Sequence, residues 1–261
     1  INSAVGTHYR CEVFNMFAFG ASRACDLNLP SEGVSASEIV LVGNSHAQMY
    51  SPIIRDYAKE RDIPALLVPL NGCLPTLDTN ISLKCLIAAR QNYDAISDLD
   101  STKLIIIAHS WPPNAELVDE DGYAVDGNPY EIMANSTVSL AEKFVNQGKL
   151  VIIVGPIAMP RFEFASKKSR ILAFKIDRDI SESKPISEFL QDYDIVIEVL
   201  LESGIPLVLP HNVQCSDFDC HYMYDGLSYF ADGNHLSEDS LVQFTDIFEA
   251  SLDKLLQNDR G

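Results

Sequence analysis

The stretch Ile39-Val40-Leu41-Val42-Gly43-Asn44-Ser45-His46-Ala47 runs an apolar, partly β-branched segment into a glycine and then into polar residues that open a helical pattern. A short segment apolar on both faces reads as a strand covered on both sides, the usual condition of a parallel sheet. Segments of the same kind recur at residues 65–69, 103–108, 149–154 and 205–209, and between them lie stretches with helical spacing at 47–61, 83–98, 130–147, 187–203 and 238–256. Strands alternating with helices predict an α/β domain, and right-handed crossovers make a doubly wound, three-layer α/β/α (flavodoxin-like) arrangement around a parallel sheet of about five strands the default. Gly148 and Gly204 each follow a predicted helix and precede a strand, where a left-handed C-cap residue is expected.

The chain has 261 residues, of which 47% are hydrophobic, enough for a substantial core in one large domain or two small ones. Residues 38–261 read as one domain. Residues 1–37 lack a clear period and read as an irregular N-terminal extension. The segments at 111–129 and 160–185 read as long polar insertions of the kind that shape a site or simply move. With 19 Lys and Arg against 37 Asp and Glu the formal charge is −18, which excludes a general nucleic-acid binder because counterion release needs clustered cations. No run reaches the roughly 18 to 20 apolar residues of a spanning helix. The sequence begins at Ile1, so removal of a signal peptide or of a longer upstream region is expected.

Ser45 stands where a buried strand turns into a helix, at the carboxyl end of the sheet and beside free helix amides. Such a serine can be simply an N-cap. A base for it is offered by Asp232-Gly233-Asn234-His235-Leu236-Ser237, just before the last helix. There the carboxylate can hold the imidazole Nδ1 proton and leave Nε2 free to take one from a serine. Taken alone, that turn is also ordinary loop chemistry.

The two segments together, in this order on an α/β frame, resemble the SGNH hydrolases, whose Gly-Asp-Ser motif supplies the nucleophile and whose late Asp-x-x-His supplies the other two members. The resemblance carries Ser45 over as nucleophile, His235 as general base and Asp232 as its orienter. With Asn71-Gly72-Cys73-Leu74-Pro75 added, the pattern is similar to the SGNH domain fused to acyltransferase-3 membrane proteins, over residues 38–256. That likeness implies an extracytoplasmic O-acetyltransferase, tethered through an upstream membrane domain that supplies acetyl groups. Its acceptor would be a hydroxyl of a bacterial cell-surface polysaccharide, such as an O-antigen. No cofactor and no metal are implied.

Two departures from the family pattern stand out. Asn44 replaces the usual Asp before the nucleophile, keeping a capping acceptor. The strand that normally ends in an oxyanion-binding Asn ends here in Ala108-His109-Ser110-Trp111-Pro112-Pro113-Asn114. Oxyanion donors would then be the backbone N–H groups of Ser45 and Gly72, helped by the side chain of Asn114 or Ser110. A missing donor costs about 10²–10³ in rate, so hydrolysis should be slow, as suits a transferase.

His109 and Trp111 are candidates for lining the substrate cleft, with simple packing as the alternative. His46 reads as a helix-surface or supporting residue, His211 as a weaker cleft candidate, and Tyr222, Tyr224 and Tyr229 as either a sugar platform or loop core. Six cysteines without an odd one favour an oxidising compartment, with buried thiols as the alternative. Proximity in sequence and the extracytoplasmic reading pair Cys11 with Cys25, Cys73 with Cys85 and Cys215 with Cys220. The rival functions are a secreted carbohydrate or lipid esterase using water as acceptor, and a glycan-binding module with vestigial residues. An α/β-hydrolase fits less well, because its elbow reads G-x-S-x-G and the fifth place here is Ala47.

Overall fold

The computed structural model describes residues 15–31, 33–160, 163–174 and 180–258. In chain order its first half comprises β1 (Met16–Phe19), β2 (Ser22–Asn28), β3 (Ile39–Gly43), α1 (Ser45–Glu60), β4 (Ala65–Pro69), α2 (Leu83–Ser97), β5 (Leu104–Ala108) and α3 (Pro129–Val145). The second half comprises β6 (Leu150–Val154), α4 (Phe164–Phe174), β7 (Ser183–Pro185), α5 (Ile186–Glu202), β8 (Leu207–Val208), α6 (His211–Gln214), β9 (Asp219–His221), β10 (Met223–Tyr224), β11 (Leu227–Ser228), a 3-10 turn at Glu238–Phe244 and α7 (Thr245–Asn258). The central sheet has the order β1-β2-β4-β3-β5-β6-β8. Its parallel part, β4-β3-β5-β6-β8, consists of the strands read from the sequence, in flavodoxin-like order.

Alternation along β3 divides the core. Ile39 and Leu41 face one side with Met49, Ile53 and Tyr57 of α1 and Phe248 and Leu252 of α7. Val40 and Val42 face the other side with Ala89 of α2, Leu140 and Phe144 of α3, and Phe189 and Val196 of α5. Both faces of the sheet are therefore sealed by helices, which is why its strands carry apolar residues at successive positions. The left-handed residues expected at Gly148 and Gly204 are present, with φ of 80° and 68°.

The reading of residues 1–37 as irregular is corrected over its described part. β1 and β2 form an antiparallel hairpin, and β2 pairs antiparallel with β4 (Cys25 opposite Leu67), lengthening the sheet. β2 buries Ala24 on one face and Cys25 and Leu27 on the other, but Arg23, Asp26 and Asn28 interrupt the continuous apolar signal that marks the central strands. The turn of the hairpin is pinned by Asn92, whose Oδ1 accepts from Ala21 N (2.8 Å) and whose Nδ2 donates to Ser22 Oγ (2.8 Å). The insertion at 160–185 likewise contains structure, namely α4 and β7, the latter pairing with β9. Glu238–Phe244 is 3-10 and only then does α7 begin, where the spacing predicted one continuous helix.

Cys73–Cys85 and Cys215–Cys220 are disulfides, as expected. Cys25 is also disulfide-bonded, whereas the Cys11 end of its expected pair lies outside the described residues.

Candidate active site

β3 stands between β4 and β5, with Gly43 level with Pro69 on one side and with Ala108 on the other. The chain therefore leaves three neighbouring strands at the same end of the sheet, delivering Ser45, Gly72 and Ser110 to one rim. This rim, at the carboxyl ends of parallel strands, is where open α/β sheets bind ligands.

Ser45 is the first residue of α1 and Asn44 is its N-cap, the Asn44 side chain accepting from His46 N at 3.0 Å. With the cap supplied by Asn44, the Ser45 hydroxyl is free for another role. It meets His235, whose Nε2 lies 2.9 Å from Ser45 Oγ. His235 Nδ1 lies 2.8 Å from Asp232 Oδ2, and Asp232 Oδ1 accepts from the backbone N–H groups of His235 (2.7 Å) and Asn234 (2.9 Å). One carboxylate thus fixes both the imidazole and the loop that carries it. That loop is closed by Ala231 N donating to His235 O (2.9 Å) and held against α1 where Leu236 N donates to Met49 Sδ (3.0 Å).

Electrostatics favour an ionised Asp232. Its burial works toward a higher pKa, but the His235 imidazole, the two backbone donors and the His235 charge outweigh this and hold the carboxyl below its ordinary value. A carboxylate on Nδ1 keeps that nitrogen protonated and leaves the Nε2 lone pair toward Ser45, so the series can pass the hydroxyl proton to the imidazole as Oγ attacks a carbonyl carbon.

Gly72 lies in the exposed turn after β4, in the left-handed region at φ 74°. The next residue is tied to α2 by Cys73–Cys85, and the preceding Asn71 donates from Nδ2 to Gln48 Oε1 of α1 (3.1 Å). One cross-link thereby holds the Gly72 turn against the helix that begins with Ser45, and the other anchors it to α2. Asn114 is exposed, with φ 58°. Ser110, not Asn114, is the residue joined to the turn that carries Ser45: its N–H donates to Asn44 Oδ1 (3.0 Å) and its Oγ accepts from Asn44 Nδ2 (2.8 Å).

The reading of His109 and Trp111 as cleft-lining residues is corrected. Trp111 is 1% exposed and packs in the core on the α2/α3/α5 side, its ring 4.1 Å from that of His109. His109 is buried with both ring nitrogens engaged, Nδ1 by Ser110 O (2.7 Å) and Nε2 by Thr137 Oγ1 (2.9 Å), and burial lowers its pKa to about 4. Neither ring has a face left for a sugar. Residues 104–108 are buried throughout, and alternate positions beyond them, 109 and 111, stay in the core while Ser110 between them is part-exposed.

His46 is buried rather than on the helix surface, its ring 5.8 Å from that of His235. Burial, aided by the charges of His235 and His109, lowers its pKa to about 3. His211 is buried against Phe189 at 4.8 Å. Tyr222 and Tyr229 are buried, and Tyr224 OH donates to Asp239 O (2.9 Å), so the tyrosines are loop core.

A strand-to-helix serine, a histidine and a carboxylate in hydrogen-bonded series on an α/β/α frame define a serine enzyme of the acyltransferase and esterase kind. The chain belongs to the family of SGNH domains that are fused to AT3 domains, whose model matches residues 10–250. Among solved structures it is similar to the periplasmic domain of a lipopolysaccharide acetyltransferase from Salmonella ser. Paratyphi A, at 10% identity and a TM-score of 0.62, with 82% of this chain and 83% of that chain covered. It is also similar to a GDSL-like lipase from Bacteroides thetaiotaomicron, at 13% identity and a TM-score of 0.49, with 87% and 91% covered. No curated protein matches the chain by sequence.

Proposed function

We propose that the chain carries an acetyl group as an ester on Ser45 Oγ and passes it to a hydroxyl of a bacterial cell-surface polysaccharide. The observation that carries this reading is the series Asp232, His235, Ser45, with links of 2.8 and 2.9 Å. His235 takes the Ser45 proton as Oγ attacks the acetyl carbonyl, and returns it to the leaving group as the tetrahedral adduct collapses. It then takes the proton of the incoming sugar hydroxyl, which attacks the acetyl ester, and gives it back to Ser45. The N–H groups of Ser45 and Gly72 are the backbone donors for the two oxyanions. Fusion to AT3 domains in the family supports a membrane-embedded source of the acetyl group. The likeness to a lipopolysaccharide acetyltransferase domain favours a glycan acceptor, and the disulfides fit an extracytoplasmic, periplasmic setting.

The test is intact-mass analysis after incubation with a serine-directed fluorophosphonate and, separately, with a small acetyl ester. An adduct on the Ser45 peptide is expected, absent in Ser45→Ala, with an acetyl form that persists in water and discharges when cell-surface polysaccharide is added. Lack of any adduct would reduce the chain to a binding module. Rapid discharge to water, unchanged by polysaccharide, would assign an esterase instead.

A further inference from the structure

The side chain of Asn44 can be oriented without ambiguity. One terminal atom lies 3.0 Å from Ser110 N and 3.0 Å from His46 N. Both are backbone N–H groups, so this atom is the amide oxygen and the other is the nitrogen. An amide nitrogen only donates, so Ser110 Oγ, 2.8 Å away, must accept from it. The single proton of the Ser110 hydroxyl is then not between these atoms, and no other described group takes it. Ser110 is part-exposed at the end of β5, on the opposite side of β3 from Gly72.

We propose that Asn44 sets the polarity of the Ser110 hydroxyl, turning its proton toward the oxyanion formed at Ser45, so that Ser110 is a third oxyanion donor beside the two backbone amides. The inference rests on Ser45 being the nucleophile. Ser110 is the catalytic group and Asn44 its positioning residue; the step makes and breaks hydrogen bonds only. An aspartate at 44 would invert the arrangement. A carboxylate accepts and does not donate, so Ser110 would give it the proton and present a lone pair to the oxyanion.

The experiment is a double-mutant cycle on the acylation rate of Ser45 by a small acetyl ester, followed by mass spectrometry. Ser110→Ala is expected to lower the rate about 10²–10³ fold with little change in KM, and Ser110→Thr, which keeps the hydroxyl, to retain most of it. Asn44→Asp should cost a comparable factor in the parent chain and little more in the Ser110→Ala background. Where Ser110→Ala fails to fold, Ser110→Cys, with a similar volume and only a weak donor, replaces it. An acylation rate unaffected by loss of the hydroxyl, or an Asn44→Asp cost equal in both backgrounds, overturns the inference while leaving Ser45 as nucleophile. No acylation of the parent chain would instead remove the reading on which it rests.

Discussion

Gly43 and Ala108 approach so closely that a β-carbon on Gly43 would stand 1.7 Å from the Ala108 carbonyl oxygen. On the other flank Gly43 O accepts from Leu70 N at 2.6 Å. At φ 150° the backbone of Gly43 is also one that side chains rarely adopt. The Ser45 turn is thus clamped between the ends of β4 and β5 two residues before Ser45.

Gly43→Ala is therefore expected to destabilise the fold by more than about 4 kcal/mol, in the exceptional range of point substitutions. Denaturant unfolding measures it. A midpoint near that of the parent chain would show that β3 and β5 can separate without harm.

Asp232→Asn tests the orienting carboxylate. The amide cannot hold the same tautomer of His235, and replacements of this kind lower kcat by roughly 10⁴. Acylation kinetics should show that loss with the protein still folded, and a loss of less than tenfold would mean that His235 is oriented by other groups.

Acid should unfold the protein through its buried imidazoles. His46 and His109 are held to pKa values of about 3 and about 4, against 6.5 when unfolded. Between those limits the unfolded chain binds more protons, so their contribution to stability rises with pH across the window and is lost as pH falls from about 6.5 toward 3–4. Imidazole proton resonances should stay in the neutral position above pH 5, and titration of either ring near pH 6–7 would contradict the burial argument.

The Cys73–Cys85 bridge closes a 12-residue separation beside Gly72. Loop-closure entropy gives it a value of about 3 kcal/mol. Replacing both cysteines by Ala should lower the unfolding free energy by about that amount and slow acylation as well, because the Gly72 N–H loses one of its two cross-links. Equal acylation rates with and without the bridge would leave Asn71 as the sole restraint that matters.

Trp111→Ala should behave as a core truncation, costing about 3–5 kcal/mol and leaving polysaccharide affinity unchanged at temperatures where the protein is folded. Thermal unfolding and glycan binding measured on the same sample separate the two effects.

What could be read from the letters follows from burial. The central strands are sealed on both faces, so residues 39–43, 65–69 and 104–108 announce themselves as apolar runs, and the turns that follow place Ser45 and, with the late loop, His235 and Asp232. The hairpin at 16–28 was hidden because polar residues interrupt its strands, and Ser22 and Asn28 satisfy partners distant in sequence, Pro69 O and Ile63 O. Trp111 and His109 misled because polarity and ring shape do not reveal depth; only packing against α3 and α5 does. The link from Asn44 to Ser110 joins positions 66 residues apart, and no local pattern encodes such a pair.

The hydroxyl of Ser45 and the imidazole beside it come from positions 190 residues apart. If Ser45 is the nucleophile, then while the polypeptide is still being made, or once everything from Asp232 onward has been removed, the alcohol lacks the His235 imidazole and stays inert. On that reading the polymer is armed only when its final segment packs against the first, and loss of the segment from Asp232 onward would switch it off without touching the serine.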